Sequence, residues 1–317
     1  MQVETLRGVT MWTFLLTRVL QALFTLWVVS VLVFFAARLT GSPDLALLPP
    51  DALPEHRQAF KQAYGLDKPV LVQYWRWISR ALQGDLGQGI QHKMAVSELI
   101  GPRLVNSLKL ATVAITLAVC LALPLGVVAA VQRGRLWDRV AMGIGLGGQS
   151  MPSFWLALML VLVFAVWLRV LPATGMGTWK HFVLPGVTMG WFMSAGIMRL
   201  VRSNMLEVLD AEFVKLARVK GLAERSVVWK HALRNACIPV VTFVGFMFGI
   251  IIASSITTET VFVWPGLGRL VFEALMARDF PVIQGVVLIW SAIIIVLNLC
   301  VDLTYGLLDP RVRLMRR

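Results

Sequence analysis

Long uncharged apolar runs alternate with short charged segments along most of this chain. Six runs are long enough, or nearly so, to cross a bilayer core of about 30 Å, which takes roughly 20 apolar residues in a helix. They fall at 19–37, 110–131, 140–168, 182–198, 237–258 and 281–301. The third is longer than one crossing needs and contains Gly and Pro, so a break or tilt is expected near Met151 and Pro152. No small-residue cleavage site follows the first run, which therefore reads as a retained helix. The pattern predicts an all-α integral membrane protein with six transmembrane helices. The expected organisation is a cytoplasmic N-terminus at 1–18, a six-helix domain at 19–307 and a basic cytoplasmic tail at 308–317.

Between the runs, two segments have a pattern of their own. The loop at about 38–105 is the one sizeable polar excursion. After Pro49, Pro50 and Pro54 it predicts a helix over 55–64, then a second over 70–82 with Trp75, Trp77 and Ile78 at helical spacing. Tryptophan favours the membrane–water interface, so the second helix reads as amphipathic and lying on the surface. It suits either a platform for an external partner or a lid over the bundle. A smaller loop at 261–280 predicts a turn at Pro265 and Gly266 followed by a short helix.

The other segment, about 199–236, is charged yet helix-forming. Leu206, Leu209, Phe213, Leu216 and Ala217 recur at helical spacing, Gly221 suits a left-handed helix end, and a second helix is expected from about Ala223 to Asn235. Helix, glycine turn and helix make a compact knob, with Ala217 and Gly221 small enough to let another protein approach. Charges interleaved with apolar residues fit a docking surface better than a solvated loop.

Composition sharpens this reading. The chain has 317 residues, 58% hydrophobic, above the roughly 45–50% of soluble domains. The net charge of +13 would suggest nucleic acid in a soluble protein, but its distribution is a topology signal. Segments assigned inside hold 17 of the 30 Lys and Arg residues, against four in the two short outside loops. The long first loop counts little in the positive-inside rule. Both termini are thus expected in the cytoplasm, with no nucleic-acid partner.

Candidate chemistry is sparse. Cys120, Cys237 and Cys300 lie in or beside apolar runs and are expected to be buried small residues. Gly143, Gly145 and Gly148 spell G-x-G-x-x-G without a preceding strand, so helix packing is expected instead, with Gly143/Gly147 and Gly245/Gly249 as small-xxx-small pairs. No P-loop exists, and no glycine precedes a lysine. The four histidines are scattered and form no metal or catalytic spacing, so no catalytic residue, metal site or cofactor is assigned. Glu259, at the outer end of the fifth run, is a candidate for the translocation pathway, and Asp302 is expected to anchor near Arg311 or Arg313.

At the charged loop the chain resembles the transmembrane permeases of binding-protein-dependent ABC importers. Their Glu-Ala-Ala…Gly loop falls here on Lys215, Leu216 and Ala217, with Gly221 as the glycine. It is similar from end to end to the dipeptide/oligopeptide/nickel subfamily. The matching stretches are YGLDKP at 64–69, VQY at 72–74, GDLG at 84–87, ARVKGL at 217–222, HALRNA at 231–236, VWPGLG at 263–268, RDFPVIQ at 278–284 and LDPR at 308–311. The resemblance implies a permease subunit, not an enzyme, in a bacterial cytoplasmic (inner) membrane. It further implies a second homologous permease subunit, one or two ATPase subunits holding ATP and Mg, and an external substrate-binding protein. Glu212, Lys215, Leu216, Ala217, Arg218, Lys220 and Gly221 would form the ATPase-coupling interface. Di- or oligopeptides are the expected substrates, with nickel, a metal chelate or glutathione as the alternative, and an ATP-independent channel or carrier as the distant one.

Overall fold

The computed structural model describes residues 11–308, apart from Thr40 and Pro50. Every regular element among them is helical, and one isolated antiparallel bridge joins Gln88 and Ala95. In chain order the helices are α1 (Met11–Leu39), α2 (Asp44–Leu47), α3 (Pro54–Ala63), α4 (Val70–Leu82), α5 (Val96–Val131), α6 (Leu136–Ser150) and α7 (Ser153–Leu160). Then come α8 (Lys180–Leu209), α9 (Glu212–Val219), α10 (Glu224–Ser226), α11 (Leu233–Ala253), α12 (Ser255–Val261), α13 (Leu267–Met276) and α14 (Phe280–Leu308). Wider i→i+5 turns continue α7 over Val161–Trp167 and join α10 to α11 over Val227–Ala232.

Among the described residues four helical stretches are long and apolar enough to span a membrane: Leu16–Leu39, Val96–Val131, Glu224–Ala253 and Phe280–Cys300. A fifth arises if Leu136–Ser150 and Ser153–Trp167 form one bent span. Its break falls at Met151 and Pro152, where the backbone turns extended, as the Pro predicts. The fourth expected run, 182–198, lies within α8, a 30-residue helix that extends well beyond it and carries too much polar character to count on composition. Pro239, inside the fifth expected run, does not interrupt the helix. It lies inside α11, and helix is continuous from Glu224 to Ala253.

The chain divides into two compact units, Met1–Asn106 with Gly266–Arg317, and Ser107–Pro265. In the first, α1 packs along α14 and α13 packs on α14. The helix expected at 70–82 is α4, and it docks by Tyr74 and Trp77 onto Phe34 of α1, with ring centroids 5.2 and 5.7 Å away. The Tyr74 hydroxyl lies 3.0 Å from Ser30 Oγ. The turn at Pro265 and Gly266 leads into α13 as expected, and Leu267, Leu270 and Ala274 bury its inner face.

In the second unit α8 is the central helix, packed by α6, α7 and α11. Close approach depends on glycine, as it does wherever apolar solvent removes the hydrophobic drive between helices. Gly145 faces Met198 and Gly148 faces Trp191 so tightly that a Cβ would come within 2.5 and 2.4 Å. The expected Gly143/Gly147 pair instead meets nothing within 4 Å, being on the other side of α6. The tightest backbone contact is at Gly190, where a Cβ would lie 2.5 Å from the carbonyl oxygen of Ala114. Gly190→Val must therefore push α8 off α5 and should cost about 1–3 kcal/mol, read as a lower melting temperature of the detergent-purified chain.

Cys120 and Cys300 are exposed and Cys237 is half-exposed, which corrects the expectation that they are buried. Apolar helix faces in a bilayer protein meet lipid as readily as protein, so apolar surroundings do not imply burial by the chain itself.

Candidate coupling interface

The knob between α8 and α11 is built from local rules. Helix α8 stops at Leu209, and the chain turns through Asp210 to an extended Ala211. The helix expected to run unbroken to Lys220 is thus two, and the turn frees α9 to take its own direction. Glu212 opens α9, where an acid favours the positive end of the helix dipole. At the other end, Leu222 N–H donates to Ala217 O (3.3 Å) and Gly221 N–H to Arg218 O (2.9 Å). Gly221 has φ +76°, a left-handed value, so these bonds form a Schellman cap.

The two faces of α9 differ sharply. Val214 and Ala217 are buried, and α9 packs against the Val227–Ala232 turns, whose Val227, Val228 and Ala232 are buried in return. Ala217 is therefore packed against its own chain. On the other face Phe213, Leu216, Val219 and Leu222 are exposed, Leu216 by 54% and Val219 by 84%. Their three-residue spacing makes an apolar stripe on a charged loop.

Charged groups frame the stripe. Lys215 Nζ bonds Glu212 Oε1 at 2.8 Å, and this partner lowers the Glu212 pKa. Arg218 donates twice to Glu224, Nη2 to Oε1 at 2.8 Å and Nε to Oε2 at 3.1 Å, tying α9 to α10 across the glycine turn. Those bonds hold Glu224 below and Arg218 above their ordinary ranges. Lys220 and Gly221 are exposed. Six of the seven residues expected at the interface are therefore on its surface, and Ala217 supports it from beneath. Phe213, Val219 and Leu222 complete the stripe, and only their threefold spacing marks them in the sequence.

A second charged contact fixes the base of the knob. Asp138 accepts from Arg202 Nε (2.7 Å) and Nη2 (2.8 Å), and from Gly134 N–H (2.8 Å). The Arg202 hydrogen bond is the largest cause holding the Asp138 carboxyl at about 2. Residues 64 positions apart thus join the first turn of α6 to α8, with nothing in their spacing to announce it.

Glu259, on α12, is wholly buried and accepts from Ser107 Oγ at 2.6 Å. The side chain of Asp302 and the tail bearing Arg311 and Arg313 lie outside the described residues. Among those described, no three His, Cys, Asp or Glu residues gather as a metal site.

Several helices among the described residues are long and apolar enough to cross a membrane, as a multi-pass membrane protein requires. The chain belongs to the binding-protein-dependent transport system inner membrane component family, whose profile matches residues 122–314. The N-terminal profile of such membrane components matches residues 11–111. The chain is 40% identical over 304 residues to the glutathione transport system permease protein GsiC of Escherichia coli K12, covering 96% of this chain and 99% of that one. The corresponding proteins of Shigella flexneri serotype 5b and Salmonella paratyphi A show the same identity and coverage. A crystal structure of an amino acid ABC transporter with histidines has the same fold, at a TM-score of 0.50 and 15% identity, over 67% of this chain and 95% of that one. The chain is thus a multi-pass inner-membrane permease subunit of an ABC importer, not an enzyme. That role implies ATPase and substrate-binding partners.

Proposed function

We propose that this chain forms half of the translocation pathway of an ATP-driven importer of short peptides, with glutathione, itself a tripeptide, as the first candidate. The observation that carries the substrate class is the 40% identity to glutathione permeases along 96% of the chain. Dipeptides and longer oligopeptides remain inside the same class, and nickel or a metal chelate is the second reading. The chain pairs with a homologous permease subunit, has six spans with both ends in the cytoplasm, and receives substrate from an external binding protein. α8 supplies the span that composition alone does not single out.

Partner ATPase subunits bind ATP and Mg and seat on the α9 stripe. Phe213, Leu216, Val219 and Leu222 supply apolar area there, while Glu212, Lys215, Arg218, Lys220 and Gly221 set its rim and turn. Burying a compact apolar anchor ringed by charge is how a few residues dominate an interface. Binding of ATP and of the loaded binding protein shifts the helices toward outward opening only if both favour that state. Glu259, closed off against Ser107, holds α12 on α5 in the described conformation.

The test is uptake by proteoliposomes holding this chain, its partner permease and the ATPases, with binding protein supplied outside. ATP-dependent uptake of labelled glutathione is expected. Uptake of nickel alone, or uptake that persists without ATP, would overturn the reading. Leu216→Asp should weaken ATPase co-purification by about tenfold or more, the scale of a lost interface anchor, without lowering the amount of chain in the membrane.

A further inference from the structure

The first unit contains a cavity of about 750 Å³ between α1, α4, the 62–66 and 85–90 segments and the start of α14. Its polar lining consists mainly of donors. Gln284 is 3% exposed, and its Nε2 has no hydrogen-bond partner. Trp77 Nε1 is also buried without a partner. Arg76 and Arg80, one helical turn apart on α4, line the cavity, and their guanidinium groups have no partner among the described residues. Arg38 is by contrast already engaged, by Gln73 Oε1 (2.7 and 3.2 Å) and Phe34 O (3.0 Å). Asp85 is the one carboxylate in the lining, and its Oδ1 is occupied by Gly87 N–H. The two buried donors are costly to leave without acceptors, and the two arginines are exposed at the cavity's edge, so the cavity suits a ligand rich in acceptors and negative charge.

The same helix shows where such a ligand comes from. Leu71, Trp75 and Leu82 form an exposed apolar stripe on α4, with Trp75 67% and Leu82 84% exposed. An amphipathic helix with Trp and Leu on one face lies in the membrane interface. Its arginines then stand at headgroup depth, beside a cavity walled by Phe34 and Phe280.

We propose that this cavity binds the headgroup of an anionic phospholipid, with Arg76 and Arg80 on the phosphate and Gln284 Nε2 and Trp77 Nε1 on its remaining oxygens. The site holds α4 to the bilayer and to the ends of α1 and α14. Its placement in the outer leaflet rests on the six-span topology with both ends inside proposed above, which puts the 38–105 loop outside, whereas headgroup binding itself does not.

The test is native mass spectrometry of the full transporter, purified in mild detergent and titrated separately with phosphatidylglycerol and phosphatidylethanolamine. Phosphatidylglycerol should be retained preferentially. The Arg76→Gln/Arg80→Gln double variant should bind it about tenfold more weakly or worse, as expected for two lost charge-assisted donors. Gln284→Leu should weaken it independently while leaving both arginines in place. Equal retention of both lipids, or undiminished binding by the double variant of unchanged helicity, would overturn the proposal. So would displacement of the lipid by glutathione or inorganic phosphate at equal concentration, which would make the cavity a site for soluble anions. Impermeant thiol labelling of Ser79→Cys in a chain otherwise lacking cysteine reports orientation separately. Inside labelling would refute the outer-leaflet placement and leave the headgroup result standing.

Discussion

Gly221→Pro is expected to abolish ATP-driven uptake while leaving the chain inserted in the membrane at normal amounts. Gly221 sits at φ +76°, and proline is locked near −65°. The substitution also removes the N–H that donates to Arg218 O, and it displaces Leu222 from Ala217 O. With the cap gone, the Arg218–Glu224 pair across the turn loses its geometry, and the apolar stripe of α9 loses its aim. Gly221→Ala separates conformation from space. A Cβ there meets nothing within 4 Å, so the cost is left-handed strain alone, about 1–2 kcal/mol, and partial uptake should survive. Ala217→Arg reaches the same end by another route. The position is buried against the Val227–Ala232 turns, and a guanidinium there must lift α9 from its seat. Because α9 lies outside the stretches long and apolar enough to span, membrane levels should not fall. Normal uptake by either Gly221→Pro or Ala217→Arg would show that this loop is not the coupler.

Asp138→Asn should destabilise the chain by up to about 2 kcal/mol, and it should disturb coupling through α8. The carboxyl is held at about 2 against an ordinary value of 3.8, which corresponds to about 2 kcal/mol of folded-state preference for the charged form. This is an upper value, because the Arg202 side chain is 26% exposed and solvent screens the pair. A depressed carboxylate contributes its full stability above about pH 3.8 and loses it as pH falls through about 2. At neutral pH the wild-type chain therefore has the whole contribution, and Asp138→Asn lacks it. The check is thermal melting in detergent at pH 7, with Arg202→Leu and the double variant completing a cycle. A double variant no less stable than either single one would identify the pair as a mutual clamp. Strictly additive losses would refute it.

Much of the architecture was legible in the chain because a bilayer imposes a simple rule on sequence. Backbone groups in lipid must be bonded within a helix, so apolar length reports helices directly. The break at Met151 and Pro152, the α4 helix with its tryptophans, the turn into α13 and the glycine at the end of α9 all follow from residue type and local spacing. The family is legible for the same reason, since its matching stretches are short and contiguous.

Other features had no local signature. The stop at Leu209 and restart at Glu212 lie in a segment whose apolar spacing continues smoothly, so periodicity alone joins α8 to α9. The helix expected over about 223–235 and the run expected from 237 read as two elements, yet helix is continuous from Glu224 to Ala253. Gly143 and Gly147 fit a packing pattern, but the rotation of α6 against α8 selects Gly145 and Gly148. Ala217 is buried against its own chain, and the exposed apolar stripe belongs to its neighbours. Asp138 meets Arg202, and Gln284 shares a cavity with Arg76, across long stretches of chain. Apolar length and turn chemistry act between neighbouring residues and are written in order along the sequence. Which faces meet, and which polar groups are left without partners, is set by helix rotation and by contacts between distant segments, so only the folded chain decides them.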